Sequence, residues 1–417
     1  MDLNADTFRR HALDLLDFWR THAPDTEHGG FRLHLDRRGD LYDEAGEKHL
    51  VGQSRAVYGF SQGVLLDGPG WCKEMARHGV AFLRDRLWDP EHSGWFWSVN
   101  RDGTVRDDCK RTYGHDFAML ALTEFHRATA PPLPSRERAG VRVEPAPSDR
   151  ISPHPTPLPT GEREALAMVR ETFDLMDEHL WEVDPGAYCE GRDRTWSTVT
   201  PPWRGQNCNM HALEVTLALH EITGDARCLS RIRDLLRAME TVFLDAEHGC
   251  IHEDFLADWR LDRDRRGDTI SIGHQFEWAW LLMRAEAVAP GAFDAAIIDR
   301  LMGFAVRHGW DDEYGGVFTY ATQEGAVTND AKGYWENSEA LLALLWYADR
   351  TGDQRCHDLF ERCAEFCFTH LADREAPGWF AQVARDGTIQ NTHKGGSWKA
   401  DYHIIQMCAE IHRFLTR

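Results

Sequence analysis

The chain alternates long segments of helical apolar spacing with short turns that are rich in glycine. Residues 4–20 place their apolar side chains on one helical face, and residues 229–242 do the same opposite an arginine-rich face. Residues 340–346 are apolar on nearly every face, which is typical of a helix that is buried on all sides. The pattern therefore predicts two classes of helix, one buried and one amphipathic on the outside.

A short motif of an acidic residue, a glycine and an alternating apolar segment recurs six times, and it predicts a turn followed by short strands. Clear copies are Glu27-His-Gly-Gly-Phe and Glu91-His-Ser-Gly-Trp, whereas Val183-Asp-Pro-Gly-Ala is weaker. The copies begin at residues 27, 91, 183, 247, 313 and 375, so they are 64, 92, 64, 66 and 62 residues apart. We call the segments that begin at these turns the first to the sixth unit, since repeats of this kind bury their faces against their neighbours.

The one long step in this series is explained by residues 131–162. They hold 9 of the 17 prolines, together with Ser, Arg and Glu and few large apolar side chains. Such a segment buries too little apolar surface to fold, so we predict a disordered, exposed insertion there.

Each unit contains the turn, a polar helix start, a buried helix and an outer helix. Six such units predict an all-α fold, an (α/α)6 barrel with short β-hairpins between the helix pairs, and residues 1–417 then form a single domain. The inner helices of such a ring run parallel, so their N-terminal ends open on one face. We therefore expect six polar helix starts to converge on one pocket.

These helix starts supply the candidate site residues. In His274-Gln-Phe-Glu277 the i, i+3 spacing places a carboxylate on the same helical face as an imidazole, and His211 with Glu214 repeats it. Histidine exchanges protons near neutral pH, so such pairs suit acid–base chemistry. Paired polar groups inside a core are the alternative interpretation. The full candidate set is Arg55, Tyr113, His115, Asn207, His211, His274, Glu277, Trp335, Glu339, Trp398 and His403.

Charge and composition narrow the partners. A net charge of −21 argues against nucleic acid or an anionic membrane surface, and no apolar run is long enough to span a bilayer. Sixteen tryptophans and 22 histidines suit a cleft that receives a sugar. Ten cysteines without a regular framework, behind an N-terminus without a signal segment, predict reduced thiols in a cytoplasmic protein. We expect a small monosaccharide as partner and leave a homo-oligomer open.

Metals and cofactors are not expected. His-x-x-Glu pairs can hold a divalent cation, but the one His-x-x-x-His pair, His248 with His252, falls in a predicted hairpin. The helix starts bring no cysteine cluster, and the chain has no Gly-x-Gly-x-x-Gly or phosphate loop. We therefore predict neither a metal site nor a nucleotide cofactor.

Four motifs resemble the N-acylglucosamine 2-epimerase superfamily of sugar epimerases and isomerases, an (α/α)6-barrel group. They are Ser54-Arg-Ala-Val-Tyr-Gly-Phe, Asn207-x-Asn-Met-His-x-x-Glu, Gly273-His-x-x-Glu-Trp and Trp398-Lys-x-x-Tyr-His. The resemblance covers the chain apart from residues 131–162. It implies that His274 and His403 form the acid–base pair, that Glu277 supports His274, and that Arg55 binds the sugar oxygens at the reacting carbons.

The resemblance also implies that His211 supports the site from behind or binds substrate. From the convergence of the helix starts we expect substrate contacts from Tyr113, His115, Asn207, Trp335, Glu339 and Trp398. The third-unit motif is similar to the mannose and sulfoquinovose isomerase branch, whereas the sixth-unit motif is similar to the cellobiose and mannose 2-epimerases. Ala400-Asp401 departs from the Cys-Pro pair expected of a cellobiose epimerase.

The residues suit proton transfer next to a sugar carbonyl. An imidazole can remove the weakly acidic C2 proton, while a guanidinium stabilises the enediolate that forms. We expect a sugar isomerase that interconverts an unphosphorylated aldose and ketose of the D-mannose/D-fructose type. The alternatives are a sugar 2-epimerase, an (α/α)6 glycoside hydrolase that works with two carboxylates, and a glycan-binding protein without activity.

Overall fold

The computed structural model describes residues 2–43, 46–130, 160–266 and 268–417, and this part of the chain is mostly helical. Its helices are α1 (Ala5–His22), α2 (Leu50–Leu65), α3 (Trp71–Phe82), α4 (Thr112–Thr129), α5 (Thr160–His179), α6 (Gln206–Thr223), α7 (Ala226–Ala238), α8 (Ile272–Val288), α9 (Ala296–Gly309), α10 (Tyr334–Thr351), α11 (Gln354–Phe366) and α12 (Tyr402–Leu415). Three of them, α3, α7 and α11, continue into the π-helical turns Leu83–Leu87, Met239–Phe243 and Cys367–Leu371.

The even-numbered helices contact one another in a closed cycle. In chain order each packs on the next, from α2 through α4, α6, α8 and α10 to α12, and α12 returns to α2. Each odd-numbered helix packs mainly on one member of this cycle, and α1 packs mainly on α12, so the two ends of the chain meet. The cycle holds one helix from each of the six predicted units.

Burial separates the two sets of helices as the apolar patterns predict. In α2 every residue from Leu50 to Gly63 is buried, and α8 and α10 are nearly as completely enclosed. In α7 the buried residues are Cys228, Ile232, Leu235, Leu236 and Ala238, which lie on one face. A helix that is apolar all round is stable only where neighbours cover every side, so the cycle forms the core.

Short strands connect the helix pairs: β1 (Lys48–His49), β2 (Ser98–Val99), β3 (Val105–Asp107), β4 (Lys110–Arg111), β5 (Trp181–Glu182), β6 (Ala187–Tyr188), β7 (Gly191–Arg192), β8 (Arg204–Gly205), β9 (Leu244–Asp245), β10 (Cys250–Ile251), β11 (Asp254–Phe255), β12 (Thr269–Ser271), β13 (Tyr320–Thr322), β14 (Val327–Asn329), β15 (Lys332–Gly333), β16 (Gln382–Val383) and β17 (Ile389–Asn391). All pairings are antiparallel, and the strand before each of α2, α4, α6, α8 and α10 pairs with the hairpin of the following unit. The next unit therefore positions each of these helix starts.

The predicted glycine turns are confirmed, and an aspartate begins most of them. The Asp89 carboxylate accepts hydrogen bonds from the backbone N–H groups of Glu91 and His92, and Asp25, Asp245, Asp311 and Asp373 make equivalent bonds. The glycine that follows adopts positive φ, as Gly94 does at 73°. Glycine is favoured there because a side chain would strain that backbone conformation.

Four of these aspartates also hold a buried lysine and an arginine. Asp373, for example, binds Lys394 Nζ at 2.9 Å and Arg37 Nε at 2.6 Å. The other three clusters are Asp25 with Lys48 and Arg101, Asp89 with Lys110 and Arg194, and Asp311 with Lys332 and Arg385. The arginine comes from the following unit each time, and Arg37 of the first unit closes the series. We call these four groups the Lys–Asp–Arg clusters.

The predicted insertion lies almost wholly outside the described residues. Its last part, residues 160–162, forms the beginning of α5, so the helix starts earlier than expected. Among the described residues, no helix combines the length and the apolar character needed to cross a membrane.

Candidate active site

One side chain from each helix of the cycle lies at the same position in the repeat. These six residues are Arg55, Phe117, His211, Glu277, Glu339 and His403, spaced by 62, 94, 66, 62 and 64 residues. Neighbours within the set touch: the Arg55 guanidinium lies 4.4 Å from the centre of the Phe117 ring, and Phe117 lies 4.7 Å from the His211 ring. We call this set the central ring.

The residue two positions before each of five ring members binds the backbone of the hairpin in its own unit. Gln53, for example, accepts a hydrogen bond from the Phe31 N–H and donates one to its carbonyl, both at 2.8 Å. Asn209, Gln275 and Asn337 form the same two backbone hydrogen bonds with Tyr188, Ile251 and Val317, respectively. The side chains at this position of the repeat therefore stabilise the contact between helix and hairpin.

His115, which we predict to contact substrate, occupies that position in α4. Its Nε2 accepts the Trp95 N–H at 3.1 Å, and its Nδ1 bonds the Arg111 carbonyl oxygen at 2.7 Å. Burial lowers the pKa of His115 to about 3, which keeps the ring neutral. Both nitrogens are thus used by the backbone.

Three imidazoles of the site are each held by a carboxylate at Nδ1. His403 contacts Glu339 Oε1 at 2.6 Å, His211 contacts Glu214 Oε2 at 2.9 Å, and His274 contacts both oxygens of Glu253 at 2.9 Å. A carboxylate at Nδ1 fixes the tautomer and leaves Nε2 as the basic nitrogen. The pairing of His211 with Glu214 at i, i+3 is confirmed.

Two glutamates differ from their predicted roles. Glu253, not Glu277, supports His274, and Gln206 Nε2 holds Glu253 in place at 3.1 Å. Glu339, expected to contact substrate, is occupied by His403 on one oxygen and by the Trp280 indole N–H on the other, at 2.8 Å. It is therefore a positioning residue for His403.

Glu277 lies in the central ring, away from His274. Its Oε1 lies 3.8 Å from His211 Nε2, and both its oxygens are buried without a hydrogen-bond partner among the described residues. Burial, then the neighbouring Glu339 and Glu214, raises its pKa well above the usual range. A neutral carboxyl in this place can donate a hydrogen bond to a bound molecule.

Arg55 supplies the positive charge of the ring. Its guanidinium donates to the Trp398 carbonyl oxygen and to the Tyr113 hydroxyl, the latter at 2.9 Å. It forms no ion pair with a carboxylate of the described residues, so its charge is not neutralised by a neighbour. Burial, and then Arg55, lowers the pKa of His403 well below the usual value, so the ring is a neutral base at pH 7.

A pocket of about 560 Å³ opens above the ring. Its lining contains the predicted Tyr113, Asn207 and Trp398, and Trp398 is 48% exposed. The Trp335 ring contacts both histidines, with its centre 5.0 Å from His274 and 5.6 Å from His403. The remaining lining residues are Trp97, Arg111, Glu190, Pro201, Trp203, Gly205, Cys208, Glu253, Asp254 and Arg266.

Arg55 and His274 lie just behind this lining. The pocket reaches Arg55 through Tyr113 and Trp398, and it reaches His274 through Glu253. The Asn207 side-chain oxygen is buried and has no partner among the described residues, which leaves it available for a ligand. The site therefore combines two oriented imidazoles, one free guanidinium and an aromatic wall.

Glu190 and Glu253 were missed at the sequence level, although a signal exists. Each is the fourth residue after the turn glycine of its unit, Gly186 or Gly249, so each projects from a hairpin rather than from a helix start. Comparing this position across the six units would have shown carboxylates in the third and fourth units alone.

Within this site, two groups of side chains have the geometry to hold a cation. His211, Glu214 and Glu277 form one, and Glu277, Glu339 and His403 form the other, with ligand atoms within 4.8 Å of one another. The buried unpartnered Glu277 belongs to both. The expectation that the protein needs no metal stays a prediction.

One family model matches most of this chain. The family model of N-acylglucosamine 2-epimerase (GlcNAc 2-epimerase) matches residues 29–138 and 156–407. The chain belongs to this family. The match omits residues 139–155, which fall inside the predicted insertion.

Relatives with different names are similar to this chain over nearly their full length. A D-mannose isomerase of Marinomonas mediterranea is 26% identical over 93% of this chain and 92% of its own. A cellobiose 2-epimerase of Bacteroides fragilis is 26% identical over 95% of each chain. An N-acylglucosamine 2-epimerase of Bos taurus is 26% identical over 97% of this chain and 90% of its own.

Solved structures share the fold of this family member. A D-mannose isomerase superposes with a TM-score of 0.84 at 24% identity over 98% of each chain. A cellobiose 2-epimerase from Spirochaeta thermophila gives 0.83 at 27% identity, over 99% of this chain and 97% of its own. A GH76 α-mannanase of Bacteroides thetaiotaomicron gives 0.65 at 10% identity over 99% and 98% of the two chains, so the fold extends to glycoside hydrolases.

Proposed function

We propose that the protein is a sugar isomerase that interconverts an unphosphorylated aldose and ketose of the D-mannose/D-fructose type by proton transfer through an enediolate. The observation that carries this proposal is the pair His403 and His274, each of which contacts a carboxylate at Nδ1. Arg55 adds a positive charge that has no ion-pair partner among the described residues. The family and the D-mannose isomerase relatives support the reaction class. We also infer that the closed cycle of helices is the inner wall of an (α/α)6 barrel.

In the proposed mechanism His403 Nε2 removes the C2 proton of the open-chain aldose. The electrons of the C2–H bond form a C1–C2 double bond, and the negative charge moves to O1, where Arg55 stabilises it. The O2 proton then transfers to O1, and His403 returns its proton to C1, which gives the ketose. His274 assists ring opening by moving a proton at the ring oxygen.

The pocket supports a neutral sugar as substrate. Arg266 Nε lies 2.9 Å from Asp254 Oδ2, so this cation is already paired, and three carboxylates line the pocket beside two arginines. A phosphate would need a cluster of free basic groups. The tryptophans of the lining offer flat surfaces for the apolar face of a sugar ring.

A 2-epimerase is the second candidate, and the positions of the two histidines favour it. His274 belongs to α8 and His403 to α12, which are not adjacent in the cycle, and the Trp335 ring contacts both. If His274 supplied a proton to the opposite face of C2, the product would be the C2 epimer. The glycoside hydrolase alternative rests on fold likeness and has less support, because Glu214, Glu253 and Glu339 are each occupied by an imidazole.

Proton NMR in D2O separates these candidates. D-mannose, D-glucose, D-fructose, N-acetylglucosamine and a simple mannoside are incubated with the protein, and the products are identified. We expect mannose and fructose to interconvert, with deuterium entering at C1 of fructose. Mannose converted to glucose alone would indicate the epimerase, cleavage of the mannoside would indicate the hydrolase, and mannose 6-phosphate turned over far faster than mannose would contradict the unphosphorylated substrate.

A further inference from the structure

Glu190 and Glu253 are equivalent residues of the third and fourth units. Each follows the turn glycine by four residues, and each faces the first turn of the buried helix of its own unit. Glu253 contacts His274 there, whereas Glu190 contacts Cys208, whose Sγ lies 3.4 Å from Glu190 Oε1. His274 and Cys208 lie three positions before Glu277 and His211 of the central ring, so the two pairs match throughout.

The partner of Glu190 cannot take over the role of His274. Burial, and then the neighbouring Glu190, raises the pKa of the Cys208 thiol well above its usual value, so the sulfur stays protonated near neutral pH. The thiol is a weak donor that leaves most of the hydrogen-bonding capacity of the carboxylate unused. Glu190 therefore has no imidazole to orient.

The surroundings keep the Glu190 carboxylate open toward the pocket. Both Glu190 and Cys208 line the pocket, and Glu190 forms no ion pair with a cation of the described residues. Gly205 makes room for it, since a Cβ there would lie 2.5 Å from Glu190 Oε1. The backbone is held by the Thr112 N–H, which donates to the Glu190 carbonyl oxygen at 3.0 Å. Burial raises the pKa of Glu190 to about 7.

We propose that Glu190 is a sugar-binding residue whose carboxylate accepts hydrogen bonds from hydroxyl groups of the substrate away from C1 and C2. The inference rests on the proposed function, and it adds a specificity determinant on the wall of the third unit. A carboxylate in this position binds vicinal hydroxyls well and repels an anionic substituent on the sugar. It thereby selects neutral hexoses.

The test compares Glu190→Gln with the matched control Glu178→Gln, which makes the same change at an exposed position of α5. We expect KM for D-mannose to rise roughly 10- to 100-fold in Glu190→Gln, as for loss of a hydrogen bond to a charged group, with kcat nearly unchanged. KM of the parent should fall as pH rises through 7, because ionisation creates the acceptor, and this component should be absent in the variant.

Deoxy analogues give a second measurement. The parent should discriminate strongly against each deoxymannose that lacks a hydroxyl bound by Glu190, and Glu190→Gln should lose that discrimination while it retains the discrimination at other positions. Glu190→Asp, which withdraws the carboxylate by one methylene group, should also raise KM. A variant with unchanged KM, unchanged pH dependence and unchanged discrimination would overturn the inference.

Binding measurements keep this test independent of the proposed reaction. If the parent converts no sugar, the proposed function fails, and calorimetric titration with D-mannose then decides the role of Glu190. Binding at least roughly tenfold weaker in Glu190→Gln supports the inference. Equal affinity of parent and variant overturns it.

Discussion

The six units fall into two groups that differ in how their turns are held. The first, second, fifth and sixth units contain the Lys–Asp–Arg clusters, which tie each turn to the next unit through buried charges. In the third unit Glu182 binds Arg204 instead, and in the fourth unit Asp245 contacts His248 at 2.8 Å and His252 at 3.3 Å.

The third and fourth units also supply much of the candidate site. They supply His211 and Glu277 to the central ring, Glu190 and Glu253 to the pocket wall, and His274 to the proposed acid–base pair. Four units thus combine the charged frame with residues of the site such as Arg55, Trp398 and His403, whereas the third and fourth units lack the Lys–Asp–Arg clusters and supply the carboxylates of the pocket wall. Repeats can diverge in this way because each contacts only its neighbours, so that a change in one unit leaves the others intact.

The largest stability effect is expected when a Lys–Asp–Arg cluster is broken. Although burial alone would raise it, hydrogen bonds from Arg37, the Glu375 N–H and Lys394 hold the pKa of Asp373 well below its usual range. Asp373→Asn leaves Lys394 buried without its counter-charge, so we expect a loss of about 3–5 kcal/mol in the free energy of unfolding. Chemical denaturation measures it.

Asp245→Asn is the matched change in the fourth unit. Its partners are histidines, which can become neutral, so the loss should be clearly smaller than in Asp373→Asn. Equal losses in the two variants would remove the distinction between the frame and the two other units.

A change in the fourth unit should affect activity instead. Glu253→Gln removes the carboxylate that fixes the tautomer of His274, so we expect kcat to fall by about 10- to 100-fold, the usual effect of losing such a supporting partner. The free energy of unfolding should change less than in Asp373→Asn. Steady-state kinetics measures the fall, with Glu247→Gln on the exposed part of the same hairpin as the control. Full activity in Glu253→Gln would show that His274 needs no such support.

The smallest effect concerns pH. The hydrogen bond to Asp245 raises the pKa of His248 above 6.5, so its ion pair stabilises the turn fully below that value and the stabilisation is lost as pH rises through the folded pKa. We expect amide protection at Glu247 and His248 to fall about two- to fivefold between pH 6 and 8, in keeping with a partly exposed pair. The turn at Asp311 should keep its protection over that range, and His248→Gln should abolish the difference. Parallel behaviour of both turns would contradict this prediction.

Much of this arrangement could be predicted from the sequence, because it follows local rules. The glycine turns, the two classes of helix and the residues at the helix starts all came from spacing and composition. The errors arise from contacts between distant residues. His115 lies at a helix start like the other candidates, but its ring bonds the backbone of a hairpin and is not part of the pocket lining.

The carboxylate partners show the same limit. Helical spacing correctly paired His211 with Glu214 within one helix, yet it assigned Glu277 to His274, whose true partner comes from a hairpin 21 residues earlier. The sequence placed Glu339 in the site but did not show that it contacts His403, because the two residues lie 64 positions apart in the chain. Periodicity reports which face of a helix a residue occupies, and it carries no information on what a hairpin or a neighbouring helix brings to that face.

The most direct test of the account is the exchange of the C2 proton of D-mannose in D2O, followed by proton NMR in the parent, His403→Asn and His274→Asn. We predict that the parent exchanges this proton, and that His274→Asn is slower by about 10²–10⁴-fold, the usual contribution of one general acid or base. His403→Asn should show no exchange above background while it still binds D-mannose in a calorimetric titration. Exchange at the parent rate in His403→Asn would contradict the assignment of His403 as the base.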